Sequence, residues 1–223
     1  VWAGAAVFIA AVVMVSAALV WNARKVALDD YEAQATRFVA GAEAAINRSL
    51  LAVDVLLASM DELLGLSGSM SEWVAPDLAS QRLRSSARQN LMVRYVALLD
   101  ANGKTIASSD AAGSALPLQL PPGFLASVLE QPVSTLMISP PVVSFATAER
   151  VLYFARHLRM ADSSLVVAIA ELPVGALSSV LVQGVDITGL QVTLERAGGL
   201  LLLSAANREE AITPVLSPPL QEV

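Results

Sequence analysis

An α+β fold behind a membrane-spanning helix is predicted from three observations: a charge-free apolar run at the N-terminus, a long stretch of helical periodicity, and short alternating segments separated by turn-forming residues. The chain has 223 residues, 55% of them hydrophobic, and a mean hydropathy of +0.61, high for a soluble domain. Its 15% charged residues and 11 prolines leave room for a folded unit outside the bilayer.

The apolar run is VWAGAAVFIAAVVMVSAALVW, Val1 to Trp21. At about 1.5 Å rise per residue it reaches about 30 Å, the thickness of a hydrocarbon core. Arg24 and Lys25 follow at its exit, where long basic side chains can snorkel. A cleaved signal peptide is the competing reading. It needs an apolar core of about 7–15 residues and a small-residue cleavage site, whereas here the run is longer and SAALVWNARKV continues into a charged helix. The basic pair alone favours keeping this end inside by the positive-inside rule.

From Asn22 to Leu64 there is no proline and a single glycine, Gly41. Apolar residues recur at Leu28, Tyr31, Ala35, Phe38, Ala42, Ile46, Leu50, Val53, Leu57 and Met60, steps of three and four that draw one stripe on a long helix. Such a stripe covers a sheet or meets its own copy in a homodimer. GLSGSMSEW then breaks the helix, and Ala75-Pro76 biases the backbone out of the helical region. A second helix is predicted from Asp77 to Asn90.

VRYVALLDANGKTIASS, residues 93–109, reads as a β-hairpin. Val93, Tyr95, Ala97 and Leu99 share one face, Arg94, Val96 and Leu98 the other, and Asp100-Ala101-Asn102-Gly103 supplies the turn. Arg94 and Lys104 are expected to face solvent. Pro122 to Glu130 is predicted as a short helix. STLMISPPVVSF, ERVLYFARHLR and SSLVVAIA follow as three strands, the last two joined by the polar turn Met160-Ala161-Asp162-Ser163. PVGALSSVLVQG has proline in its first turn and glycine after its last, the punctuation of a helix.

In this order, the span, the long helix, the D-x-N-G turn, "ISPPV" before a strand ending in "YFARHL", and a strand running directly into "LPVGAL" resemble the Cache sensor domains, PAS-like modules of bacterial receptors. The resemblance covers about residues 1–182, and ITGLQVTLERAGGLLLLSAAN resembles the opening hairpin of a second, membrane-proximal module in double-Cache sensors. It implies an inner-membrane receptor whose folded part faces the periplasm, with residues 1–21 as transmembrane helix, 22–64 as signalling helix, 65–182 as sensor module and 183–223 as the start of a second module or linker. It further implies a homodimer, a small polar or anionic metabolite as ligand, and a downstream histidine kinase or diguanylate cyclase in a longer protein. The alternative is a ligand-free spacer or protein-interaction ectodomain.

Four residues are candidate ligand contacts. Arg156 and His157 in YFARHLR must face opposite ways on a strand, and an inward Arg156 could hold a carboxylate by paired hydrogen bonds. Tyr153 and Tyr95 read first as core aromatics with satisfied hydroxyls and second as ligand contacts. The aromatic and arginine set of amino-acid-binding members of the family is not recognisable among three Trp and three Tyr.

Other classes are disfavoured. Without Arg24 and Lys25 the chain has 12 basic and 20 acidic residues, a net charge of −8, and no basic cluster with interleaved aromatics, so nucleic acid is not an expected partner. With one histidine, no cysteine and no phosphate-loop or H-E-x-x-H motif, no catalytic residue, metal site or cofactor is expected in this segment.

Overall fold

The computed structural model describes residues 2–65, 76–110, 118–160, 162–182, 192–196 and 199–205. The serine-rich loop after Gly65 and the proline-rich C-terminal stretch lie outside the described residues. The chain divides into two compact units, 1–44 and 45–223. Helix α1, Trp2–Ala58, supplies the described residues of the first and enters the second at Ala45. The chain has one helix long and apolar enough to cross a membrane among its described residues. In the first unit Leu28 and Tyr31 are exposed.

The stripe read from the sequence divides along its length. Ile46, Val53, Leu57 and Met60 are buried in the second unit, with Leu64 continuing the same step. The long helix also ends earlier than its periodicity suggests. It stops at Ala58 and resumes as α2, Met60–Leu64, with the Ser59 hydroxyl donating to the Leu56 carbonyl at 2.9 Å. A serine that bonds its own preceding turn weakens the helical ladder at that point. Gly65, at φ 66°, closes the segment. Helix α3, Pro76–Gln89, buries Ala79, Leu83 and Ala87, one residue per turn, and packs on β1 and β2.

The sheet is antiparallel and six-stranded. Its strands are β1 (Tyr95–Leu99), β2 (Thr105–Ser108), β3 (Met137–Ile138), β4 (Val142–Val143), β5 (Arg150–Arg159) and β6 (Leu165–Pro173), in spatial order β2-β1-β6-β5-β3 with β4 also pairing β5. The D-x-N-G turn forms as expected: the Asp100 carboxylate accepts from the Asn102 and Lys104 amides at 2.9 and 2.8 Å, and Gly103 takes φ 83°. STLMISPPVVSF is not one strand. Pro140-Pro141 cannot donate to a ladder, so the run splits into β3 and β4.

Alternation gives the sheet two unlike faces. One carries Leu152, Phe154, Arg156 and Leu158 of β5 with Val166, Ala168, Ala170 and Leu172 of β6, aligned pair by pair. The other carries Val151, Tyr153, Ala155, Val167 and Ile169, joined in one core cluster by Phe124 and Val128 of α4 (Phe124–Leu129). Helix α5, Val174–Val182, follows β6 directly and packs against β8 of a separate hairpin, β7 (Val192–Arg196) and β8 (Leu200–Ala205).

Candidate functional site

The register of three strands builds one wall of a cavity. Tyr95 on β1 lies opposite Glu171 on β6, and Glu171 opposite Tyr153 on β5, so the three side chains stand in a row across the sheet. The cavity measures about 230 Å³. Leu118 and Gln119 close it from the segment before α4, Asp110 from the end of the first hairpin, and Ser144 to Thr147 from the loop joining β4 to β5. Phe145 stands on its rim, 79% exposed. The loop is a tight one: the Ser144 amide donates to the Glu149 carbonyl at 2.8 Å, the Ala148 amide donates to the Ser144 carbonyl at 2.8 Å, and Ala148 adopts φ 55°. Alanine takes that left-handed conformation at a cost of about 1–2 kcal/mol.

Glu171 is the buried carboxylate of this wall, with 6% of its surface exposed. Its Oε2 accepts from the Tyr153 hydroxyl at 3.3 Å. Burial raises its pKa above the ordinary carboxylate value, against the lowering effects of the Tyr153 hydroxyl and the Arg94 guanidinium. The tyrosines respond in kind. Burial and the neighbouring Glu171 push the Tyr153 hydroxyl up, and burial raises that of Tyr95. The Tyr153 backbone is fixed by Ser139, whose hydroxyl accepts from its amide at 2.9 Å and whose own amide donates to its carbonyl at 2.8 Å.

Arg94 is exposed, as expected, and also borders the cavity. It donates to the Thr147 hydroxyl at 2.9 Å, pairs with the Glu149 carboxylate of the rim loop, and comes within 4.0 Å of Glu171 Oε1. A guanidinium with one carboxylate already in hand compensates a second at 4.0 Å only weakly. Lys104 is exposed as expected. A larger concavity of about 780 Å³ also touches Arg94, running along Arg150 and the start of α5, and none of its lining residues is buried.

The sequence candidates therefore separate. Tyr95 and Tyr153 line the cavity together, whereas Arg156 and His157 do not. Arg156 lies on the opposite face of the sheet, where its Nη1 meets Asp54 of α1 at 2.5 Å. His157 shares the face of Tyr153 but is buried, with Nδ1 3.1 Å from the Val128 carbonyl oxygen; since that oxygen only accepts, Nδ1 carries the proton. Glu171 and Arg94 are the residues that sequence reasoning missed. The signal for Glu171 is in the chain. A hairpin folded about Asp162 pairs Arg159 with Leu165, and counting back from that turn sets Tyr153 opposite Glu171. Glu171 is also the one charged residue in the apolar run from Leu165 to Pro173.

No protein-family model and no curated protein matches the chain. Solved structures do. The extracellular domain rpHK1S-Z16, assigned to a histidine kinase, is 21% identical with a TM-score of 0.59, over 75% of this chain and 67% of that one. The sensor domain of the Vibrio cholerae histidine kinase DctB is 17% identical with a TM-score of 0.55, over 82% and 68%. The sensory domain of the Campylobacter jejuni chemoreceptor Tlp3, solved with isoleucine bound, is 10% identical with a TM-score of 0.56, over 81% and 72%. The chain has the Cache, PAS-like fold that extracytoplasmic sensor domains of histidine kinases and chemoreceptors share.

Proposed function

We propose that this chain is the sensory part of a bacterial inner-membrane signalling receptor, and that it binds a small polar metabolite bearing a protonated amine in the cavity walled by Tyr95, Glu171 and Tyr153. The observation that carries this reading is Glu171. A carboxylate 6% exposed, with a neutral hydroxyl as its nearest partner, is costly to keep ionised. An ammonium group placed beside it would supply the missing counter-charge, and the tyrosine rings would cover the ligand's apolar part. The domains of similar fold from Campylobacter jejuni Tlp3 and Pseudomonas fluorescens CtaA were solved with L-valine bound, which agrees with an amine-bearing ligand. An anion, the other class expected from sequence, is disfavoured here because Arg94 is already paired with Glu149.

In this reading residues 1–21 span the membrane, the sheet domain faces the periplasm, and Leu28 and Tyr31, exposed on α1, contribute to a homodimer. A histidine kinase or cyclase domain follows in the full receptor. Reporter fusions after residues 60 and 180 test the topology: both should behave as periplasmic, and cytoplasmic activity at both would overturn it. A thermal-shift panel of amino acids, amines and dicarboxylates on the whole chain in detergent tests the ligand class. Amine-bearing compounds in excess should raise the melting temperature by about 5 °C. A filled cavity and no shift from any class would instead support a ligand-free spacer.

A further inference from the structure

The two sequence candidates that stand clear of the cavity sit together near the end of β5. Arg156 and His157 are neighbours in the chain and project from opposite faces of the sheet. On one face Arg156 holds Asp54 of α1; on the other the His157 ring donates to the Val128 carbonyl of α4. Ser134, between α4 and β3, joins them. Its hydroxyl donates to the His157 carbonyl and accepts from Arg156 Nε at 3.0 Å, while its own carbonyl accepts from Arg156 Nη2 at 2.8 Å. Val128 in turn belongs to the core cluster that contains Tyr153, the cavity-wall tyrosine. A connected set of groups thus runs from the layer beneath the cavity, through the sheet, to the long helix.

We infer that Asp54, Arg156, Ser134 and His157 form a clamp that sets the axial position of the 45–58 segment of α1 on the sheet and ties it to the position of α4. Apolar contacts at Ile46, Val53 and Leu57 hold the helix against the domain but are non-directional, so they leave sliding along its axis weakly opposed. The Arg156 guanidinium supplies direction, with three bonds in one plane to Asp54 and to both oxygens of Ser134. Among the described residues, Asp54–Arg156 is the one ion pair that α1 makes with another element. With side chains 33% and 21% exposed, the pair adds little to global stability. Its consequence is registration: a displacement of α4 moves Ser134 and His157 together, and Arg156 passes that displacement to Asp54. All four act as positioning residues, and the clamp is independent of what occupies the cavity.

Native-state amide hydrogen exchange on the whole chain in detergent, without ligand, tests the inference through a double-mutant cycle. Asp54→Ala and His157→Ala remove groups on opposite faces of the sheet that do not touch. In a connected clamp each substitution raises the opening constant of amides 45–58 about tenfold, and the double variant falls short of the product by about fivefold or more. Amides of the β1–β6 ladder stay unchanged. A double variant within about twofold of the product, or His157→Ala without effect on amides 45–58, would reduce the four residues to separate local contacts and overturn the clamp. If His157→Ala does not fold, Ser134→Ala takes its place in the same cycle with the same two outcomes. Restoration of wild-type exchange by Asp54→Glu, which keeps the charge, separates pairing from lost packing. A failed ligand screen leaves this measurement unaffected, so the clamp and the ligand reading fall separately.

Discussion

On the helix face of the sheet, the charged side chain of Arg156 stands among Leu152, Phe154 and Leu158, and that charge is answered from within the fold by Asp54. On the cavity face, the same strand carries Tyr153 beside Glu171, and the one cation nearby among the described residues, Arg94, is committed to Glu149 and lies 4.0 Å away. Both faces arise from one alternating pattern on β5 and β6, yet one neutralises its charge internally and the other leaves a buried carboxylate under-compensated. The difference separates what holds the domain together from what the domain can bind. Substitutions on the two faces should accordingly change stability in opposite directions.

Leu57→Ala gives the largest expected effect. Leu57 is fully buried on α1, and truncation should cost about 2–5 kcal/mol in chemical unfolding. A loss below about 1 kcal/mol would mean that α1 is not part of the domain's core.

Glu171→Gln should act the other way. It removes a buried charge while leaving an amide that can still meet the Tyr153 hydroxyl, and should raise stability near neutral pH on the order of 1 kcal/mol. The pH dependence carries a definite sign. Because the folded-state pKa of Glu171 lies above its unfolded value, the folded state binds the proton more tightly. The contribution of Glu171 to stability is therefore fully present below the ordinary carboxylate pKa and lost as pH rises through the raised value. The difference in unfolding free energy between wild type and Glu171→Gln should grow across that window and level off above it. A difference that is flat with pH would show that the carboxylate is solvated.

The smallest effect on stability belongs to Phe145. Being 79% exposed on the cavity rim, its replacement by alanine should change stability by less than about 0.5 kcal/mol. Ligand affinity should nonetheless fall, since a ring at the mouth of the cavity contributes cover only when the cavity is occupied. Unchanged affinity would place Phe145 outside the site.

Much of the fold was legible because period and punctuation agreed. The D-x-N-G turn, the start of α5 directly after Pro173, the buried part of the α1 stripe at Ile46, Val53 and Leu57 and the facing of Tyr95, Ala97 and Leu99 all follow from local chemistry, and each is present. The site was less legible because it depends on register. Nothing local to Arg94 says that its guanidinium meets Thr147 and Glu149, more than fifty residues away. The two readings available for Arg156 from parity alone, inward or outward, differ only by which face carries the cavity. That choice is made by where α1 and α4 pack. Tyr95 and Tyr153 were legible as aromatics packed on the core, because each lies in an apolar strand with a polar tip to place; that both also border a cavity depends on register.

The central claim is that Glu171 holds the ligand's cationic group. Its most direct test is to repeat the thermal-shift panel of amino acids, amines and dicarboxylates on wild type and Glu171→Gln side by side at neutral pH. Amine-bearing compounds should raise the melting temperature of wild type by about 5 °C and leave Glu171→Gln, itself folded and at least as stable, without a shift. A dicarboxylate lacking an amine that stabilises both proteins equally would contradict that claim.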